Sequence, residues 1–146
     1  MKSYVVALAI GLASLTASAQ MSPVGLWQTI SDKDGKVTSE VRIVENGGVL
    51  VGRIERELGP DAKPDDKCTA CKDDRKDKAI AGLEIIRDAK KTEGKDVWEG
   101  GNILDPDNGT VYKLKMTPIE GGKKLEVRGF VGFALLGRTQ TWIRVQ

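Results

Sequence analysis

The sequence predicts an all-β fold: a small antiparallel, up-and-down barrel of seven or eight strands, with a compact β-sandwich as the alternative. Three observations carry this prediction. Apolar runs are short and are repeatedly interrupted by glycines. Several runs alternate apolar and polar residues with a period of two, the mark of a strand with one buried face. Helix-period stripes are scarce, and turn signals separate neighbouring runs, so connections are local. Closure satisfies edge hydrogen bonds that an open sheet leaves exposed.

The first residues are set aside before strands are placed, because they read as a secretory signal at 1–19. Lys2 gives a positive start, Val5 to Leu15 an apolar run, and Ala17-Ser18-Ala19 a small-residue cleavage site. That run is too short to span a bilayer, and no later segment approaches the length needed. Cleavage before Gln20 leaves 127 residues, enough for one domain at 20–146 with one modest core. The expected location is the periplasm or the outside of the cell. No cysteine stands at the cleavage site to take a lipid anchor.

Val24 to Ile30 forms the opening strand, ended by the Asp34-Gly35 turn signal. In the next segment Val37, Val41 and Ile43 share one face, with Glu40 and Arg42 on the other. Asn46-Gly47-Gly48 then makes a hairpin before Val49 to Glu55, where Leu50 and Ile54 face alike. Gly52 between them permits close packing or curvature. Gly82 to Arg87 fits a short strand or a helical turn. Trp98 to Leu104 is a strand whose centre Gly100-Gly101 weakens, and Asp105-Pro106-Asp107-Asn108-Gly109 is a strong turn. Thr110 to Met116 follows, closed off by Pro118 and Gly121-Gly122. From Lys123 to Val131, Leu125, Val127 and Val131 alternate with Glu126 and Arg128. After Gly137, the last strand places Gln140, Trp142 and Arg144 on one face, with Ile143 and Val145 on the other.

Residues 61–78 break the pattern, with six acidic and six basic residues around Pro64 and the only two cysteines. These side chains predict a mobile or weakly structured excursion that adds nothing to the apolar core. Cys68-Thr69-Ala70-Cys71 has the spacing of a redox pair, but lies in a strand-rich chain rather than at a strand-to-helix junction. In an exported protein, a local disulfide is the leading account. Thiol redox chemistry and metal binding remain alternatives; a metal would need carboxylates such as Asp66 or Asp73 to complete its ligands.

Composition restricts the chemistry further. The chain has no histidine, which removes the commonest proton shuttle and any Ser-His-Asp triad. Paired carboxylates could divide acid and base work, with Glu99, Asp105 and Asp107 available. The two aspartates are better explained as turn residues, and Glu99 as a solvent-facing one. Asp105-x-Asp107-x-Gly109 lacks the terminal glutamate and flanking helices of a calcium loop. No catalytic residue, metal or cofactor is predicted. The formal charge is +2, divided unevenly: residues 111–146 carry +5 and residues 20–110 carry −4. A basic strand surface would suit an anionic ligand or envelope component. Nucleic acid is not an expected partner.

Trp27, Trp98 and Trp142 can pack around one end of a barrel. Trp98, Tyr112, Arg128 and Trp142 are the candidate ligand-binding residues: rings for contact area, tyrosine and arginine to orient a polar or anionic group. The apolar stretch from Gly129 to Gly137 can cap the barrel or dock a partner.

The chain resembles domain of unknown function 2147 (DUF2147), an uncharacterised bacterial family. The resemblance runs from Gly25-Leu26-Trp27 to Trp142 and is most distinctive at Trp98-Glu99-Gly100-Gly101-Asn102-Ile103-Leu104-Asp105-Pro106 and Gly109-Thr110-Val111-Tyr112. Leu125-Glu126-Val127-Arg128-Gly129-Phe130 and Leu136-Gly137-Arg138-Thr139-Gln140-Thr141-Trp142 complete it. It implies an exported, lipocalin-like β-domain with no assigned catalytic residues. Gly25-x-Trp27 is similar to the opening of lipocalins, where the tryptophan packs near a basic side chain of the closing strand. Arg144 is placed to take that role.

Three functional readings result, the third being a thiol redox or metal-binding protein using Cys68 and Cys71. The first is a non-catalytic periplasmic binding protein for a small apolar or amphipathic molecule. The second is an envelope protein-interaction or stress-associated structural module using its exposed loops.

Overall fold

In a computed structural model of the protein, residues 21–132 and 136–146 are described. The expected leader at 1–19, and Phe133, Ala134 and Leu135 of the apolar stretch, lie outside the described residues. Eight strands follow in chain order: β1 (Gly25–Ile30), β2 (Val37–Asn46), β3 (Val49–Glu57), β4 (Glu84–Lys91), β5 (Trp98–Asp105), β6 (Thr110–Ile119), β7 (Lys124–Phe130) and β8 (Gly137–Arg144). Each pairs antiparallel with its neighbours, and β8 returns to β1, so the sheet is a closed barrel. The barrel is therefore the fold, and the sandwich is not.

Register follows the period-two pattern. Ile43 pairs with Gly52, Gly52 with Ile86, Ile86 with Ile103 and Ile103 with Tyr112, an inward row across five strands. A Cβ at Gly52 would sit 3.0 Å from Ile86, so that glycine makes room for the isoleucine beside it. Of the segment from Gly82 to Arg87, the part from Glu84 on is strand and runs to Lys91, while Gly82 sits in the preceding turn; Ile86 and Ala89 are both fully buried. Gly100-Gly101 marks a bulge rather than a weak centre. Gly100 has φ +82°, and a Cβ at Gly101 would fall 2.1 Å from the Arg87 carbonyl oxygen.

Up-and-down order assigns each connection to one end. One end gathers the β2–β3, β4–β5 and β6–β7 turns together with the start of β1 and the end of β8. The opposite end gathers the β1–β2, β5–β6 and β7–β8 connections and the long β3–β4 excursion.

That excursion requires a correction. Cys68, Cys71, Ile80 and Leu83 are buried and belong to the same apolar cluster as the barrel core. Lys67 pairs with Ala79 in a β-bridge, and Cys68 and Cys71 are disulfide-bonded. Arg75, only 2% exposed, donates to the Glu84 carbonyl at 2.9 Å and to both carboxylate oxygens of Asp73. The charge count over 61–78 misled because it weighed side chains singly: most of these charges face water or pair, while Cys68 and Cys71 turn inward, joined by Ile80 and Leu83 just after the segment. Leu104, which lies on the outer face opposite Val111, is only 2% exposed and belongs to the same cluster. Gly109 meets the excursion directly, since a Cβ there would lie 1.9 Å from the Ala70 carbonyl oxygen.

Candidate ligand-binding end of the barrel

One end of the barrel is sealed by residues from both termini of the domain. Trp27 is fully buried and donates its indole N–H to the Pro23 carbonyl at 2.7 Å. Arg144 pairs with Trp27 across the β1–β8 seam, and its guanidinium lies 4.2 Å from the Trp27 ring centroid. The same group donates to the carbonyls of Ser22 at 2.6 Å, Val24 at 2.8 Å and Gly122. Its planar fork thus ties the entering strap and the β6–β7 turn onto the aromatic face. Burial pushes the guanidinium pKa below its ordinary value.

Trp98 and Trp142 lie towards this same end, near the start of β5 and the end of β8. Both face inward: Trp98 pairs with Met116, Trp142 with Leu125, and all four are buried. Lys91 covers the Trp98 ring at 5.8 Å, and the Trp142 indole donates to Gln140 Oε1 at 3.1 Å. These tryptophans form the floor of the barrel interior.

The opposite end is built differently. Inward positions there are Thr29, Ser39, Glu57, Ile103, Tyr112, Gly129, Arg138 and Gln140, placed by pairings Thr29–Ser39, Ser39–Glu57, Ile103–Tyr112 and Gly129–Arg138. Tyr112 and Ile103 are half-buried. Gly129 supplies the space beside them: a Cβ there would lie 3.3 Å from Tyr112 Cβ and 3.5 Å from Ile103 Cγ2. The rim is polar. Thr29 shares hydrogen bonds of 2.7 Å with the hydroxyls of Thr38 and Ser39. Arg138 pairs with Asp32 at 2.9 Å, and Gln140 donates to that carboxylate at 3.4 Å. Burial, with Asp66 and Asp107 nearby, pushes the Glu57 carboxyl above the usual carboxylate range.

The four sequence-predicted residues therefore part company. Trp98 and Trp142 share the interior floor, and Tyr112 stands at the open end. Arg128 is on the outside: its strand neighbours Val127 and Gly129 face in, it pairs with Lys115 and Thr139, and it donates to Thr139 Oγ1 at 3.1 Å. Arg138, Ser39, Glu57 and Gly129 were missed as site residues. Alternation back from Trp142 through Gln140 reaches Arg138, so that signal was present in the chain. The positions of Ser39 and Glu57 depend on a register shift between β2 and β3 that no local pattern shows.

The other candidate chemistries find less support. Both cysteines are buried, at 0% and 1% exposure, so no sulfur is presented for attack by an outside thiolate. Asp105 accepts from the Asp107 N–H and the Asn108 amide, the hydrogen bonds of a turn. Glu99 faces outward and accepts from Thr92. Among the described residues, no cluster of three or more His, Cys, Asp or Glu side chains is arranged to hold a metal ion.

Comparison with known proteins agrees with this architecture. The family described as "Uncharacterized protein conserved in bacteria (DUF2147)" matches residues 25–144. A solved structure titled "Protein HP1028 from the human pathogen Helicobacter pylori belongs to the lipocalin family" is similar with a TM-score of 0.72 at 20% identity. The similarity covers 84% of this chain and 82% of that one, and it concerns the fold. No curated relative matches the chain in sequence.

Proposed function

Because the chain belongs to the DUF2147 family and folds as a lipocalin-like barrel, we propose that it binds a small apolar or amphipathic molecule without chemically altering it. The observation that carries this reading is the contrast between the two ends. The sealed end is closed by Trp27 and Arg144, whereas the other leaves Ile103 and Tyr112 half-buried around Gly129 under a polar rim. An apolar segment packs between those three residues. A polar head group meets Arg138, Gln140, Ser39 and Thr29. Below them Leu114, Met116 and Trp142 are at most 2% exposed, so the site is shallow and its ligand small. The signal-like leader supports a periplasmic or secreted setting for this role.

The test begins with a native mass spectrum of protein isolated gently from its own cell envelope. A reproducible extra mass, released on denaturation, supports the reading and identifies the ligand class. That ligand is then titrated by intrinsic fluorescence, since Trp98 and Trp142 line the interior below the site. Gly129→Val fills the space beside Tyr112 and is expected to weaken binding by about tenfold or more. Arg128→Gln, on the outer face, is expected to leave the affinity unchanged. Equal affinity in wild type and Gly129→Val sinks this site.

A further inference from the structure

The outer face of β6–β8 points to a second surface, independent of the interior. Alternation places Val111, Lys113 and Lys115 outward on β6, and register sets Lys113 beside Phe130 and Lys115 beside Arg128. Beyond Phe130 the chain continues into Val131 and, on the return to β8, Leu136, which close on each other through a 3.0 Å backbone hydrogen bond. Val111, Val131 and Leu136 are 43%, 48% and 66% exposed. Three well-exposed large apolar side chains thus crown one edge of the open end, directly above a basic stripe. Among the described residues, Lys113 and Lys115 form no ion pair. The carboxylates that border this stripe are Glu99, the register partner of Lys115, and Glu126, one step past Arg128 towards the sealed end.

We propose that this edge docks the protein onto an anionic bilayer surface, with Val131 and Leu136 entering the headgroup region and Lys113, Lys115 and Arg128 meeting lipid phosphates. Charge decides the occupant. On this outer face the charged groups nearest the apolar edge are Lys113, Lys115 and Arg128, so a negative surface is attracted to it. Asp105 and Asp107 lie on the β5–β6 turn beyond Val111 and bound the basic region on that side. Apolar insertion beside a basic stripe is the arrangement by which interfacial proteins hold a membrane surface without spanning it. Docked in this way, the open end of the barrel sits beside the lipid.

The test is co-sedimentation of the purified protein with vesicles of phosphatidylcholine containing about a third phosphatidylglycerol, against pure phosphatidylcholine. Binding to the anionic vesicles only is expected, lost when salt rises from about 0.1 M to about 0.5 M as screening shortens. Lys113→Gln with Lys115→Gln lowers the partition coefficient about 25-fold, at about fivefold per charge near the surface. Leu136→Ser lowers it about tenfold, with an unchanged melting curve because the side chain is already exposed. Equal binding to both vesicle types, no binding to the anionic ones at low salt, or undiminished binding by these folded variants overturns the proposal.

Discussion

Arg144 is the side chain whose removal tests the architecture most directly. Arg144→Ala deletes a guanidinium stacked 4.2 Å from the Trp27 centroid and bonded to the carbonyls of Ser22, Val24 and Gly122. The stacking contributes about 1 kcal/mol at a partly exposed site. Each charged hydrogen bond contributes about 1.5 kcal/mol or more when buried, but the freed carbonyls can recover water, so the three together are discounted to about 2 kcal/mol. The expected loss is about 3 kcal/mol, or about 12 °C in Tm for a domain between the usual size classes. Arg144→Lys keeps the charge and one carbonyl contact but loses the planar fork, and is expected to lose about 2 kcal/mol. Urea unfolding followed by tryptophan fluorescence measures both, because Trp27 passes from full burial to water. A loss below 1 kcal/mol for the alanine variant, or a lysine variant as stable as wild type, would refute the claim that this fork seals the barrel end.

Further predictions concern the excursion and the open end. Gly109→Ala puts a Cβ 1.9 Å from the Ala70 carbonyl oxygen at a φ of +73°, and is expected to cost about 2–3 kcal/mol. Hydrogen exchange should show the loss concentrated in residues 66–80. The Cys68→Ser, Cys71→Ser double variant is expected to lose about 2 kcal/mol through its short closed loop, with reductant lowering wild-type Tm similarly. Glu57→Gln tests the pH response. A carboxyl whose folded pKa is raised above its unfolded value releases its proton first in the unfolded chain, so stability falls as pH rises through that window. The glutamine variant should therefore be more stable than wild type at neutral pH, with the difference vanishing below about pH 4. Asp73 and Asp74, held below the usual carboxylate range by Arg75 and Arg87, act in the opposite sense. Their contribution is present above the unfolded carboxylate pKa and lost as pH falls through their depressed values.

Much of the fold could be read from local pattern. The alternation of Val41 and Ile43, and of Leu125 and Val127, assigned inner and outer faces correctly, because a strand's side chains have a fixed period of two; at Val37 a register shift breaks the pattern and sets that residue against Ile30. Applied consistently, the same rule puts Arg128 outside; choosing it for the pocket set residue chemistry above the face on which it stands. The excursion failed for a different reason. Composition shows how many charges a segment has but not that Arg75 will fold back on Asp73 and Glu84, while Cys68 and Cys71 join the apolar core.

What the sequence determined by itself is the set of strands, most of their faces and the local disulfide, since each depends on spacing or on neighbours along the chain; the Trp27–Arg144 contact was expected only from the resemblance to lipocalins. Only the tertiary structure decided which ends of those strands meet. The bulges at Gly100-Gly101 and between Glu40 and Val41 set the stagger of the barrel. That stagger brings Ser39, Glu57, Tyr112, Gly129 and Arg138 to one opening. Register across a closed sheet is a property of all eight strands at once, and no single segment of the chain carries it.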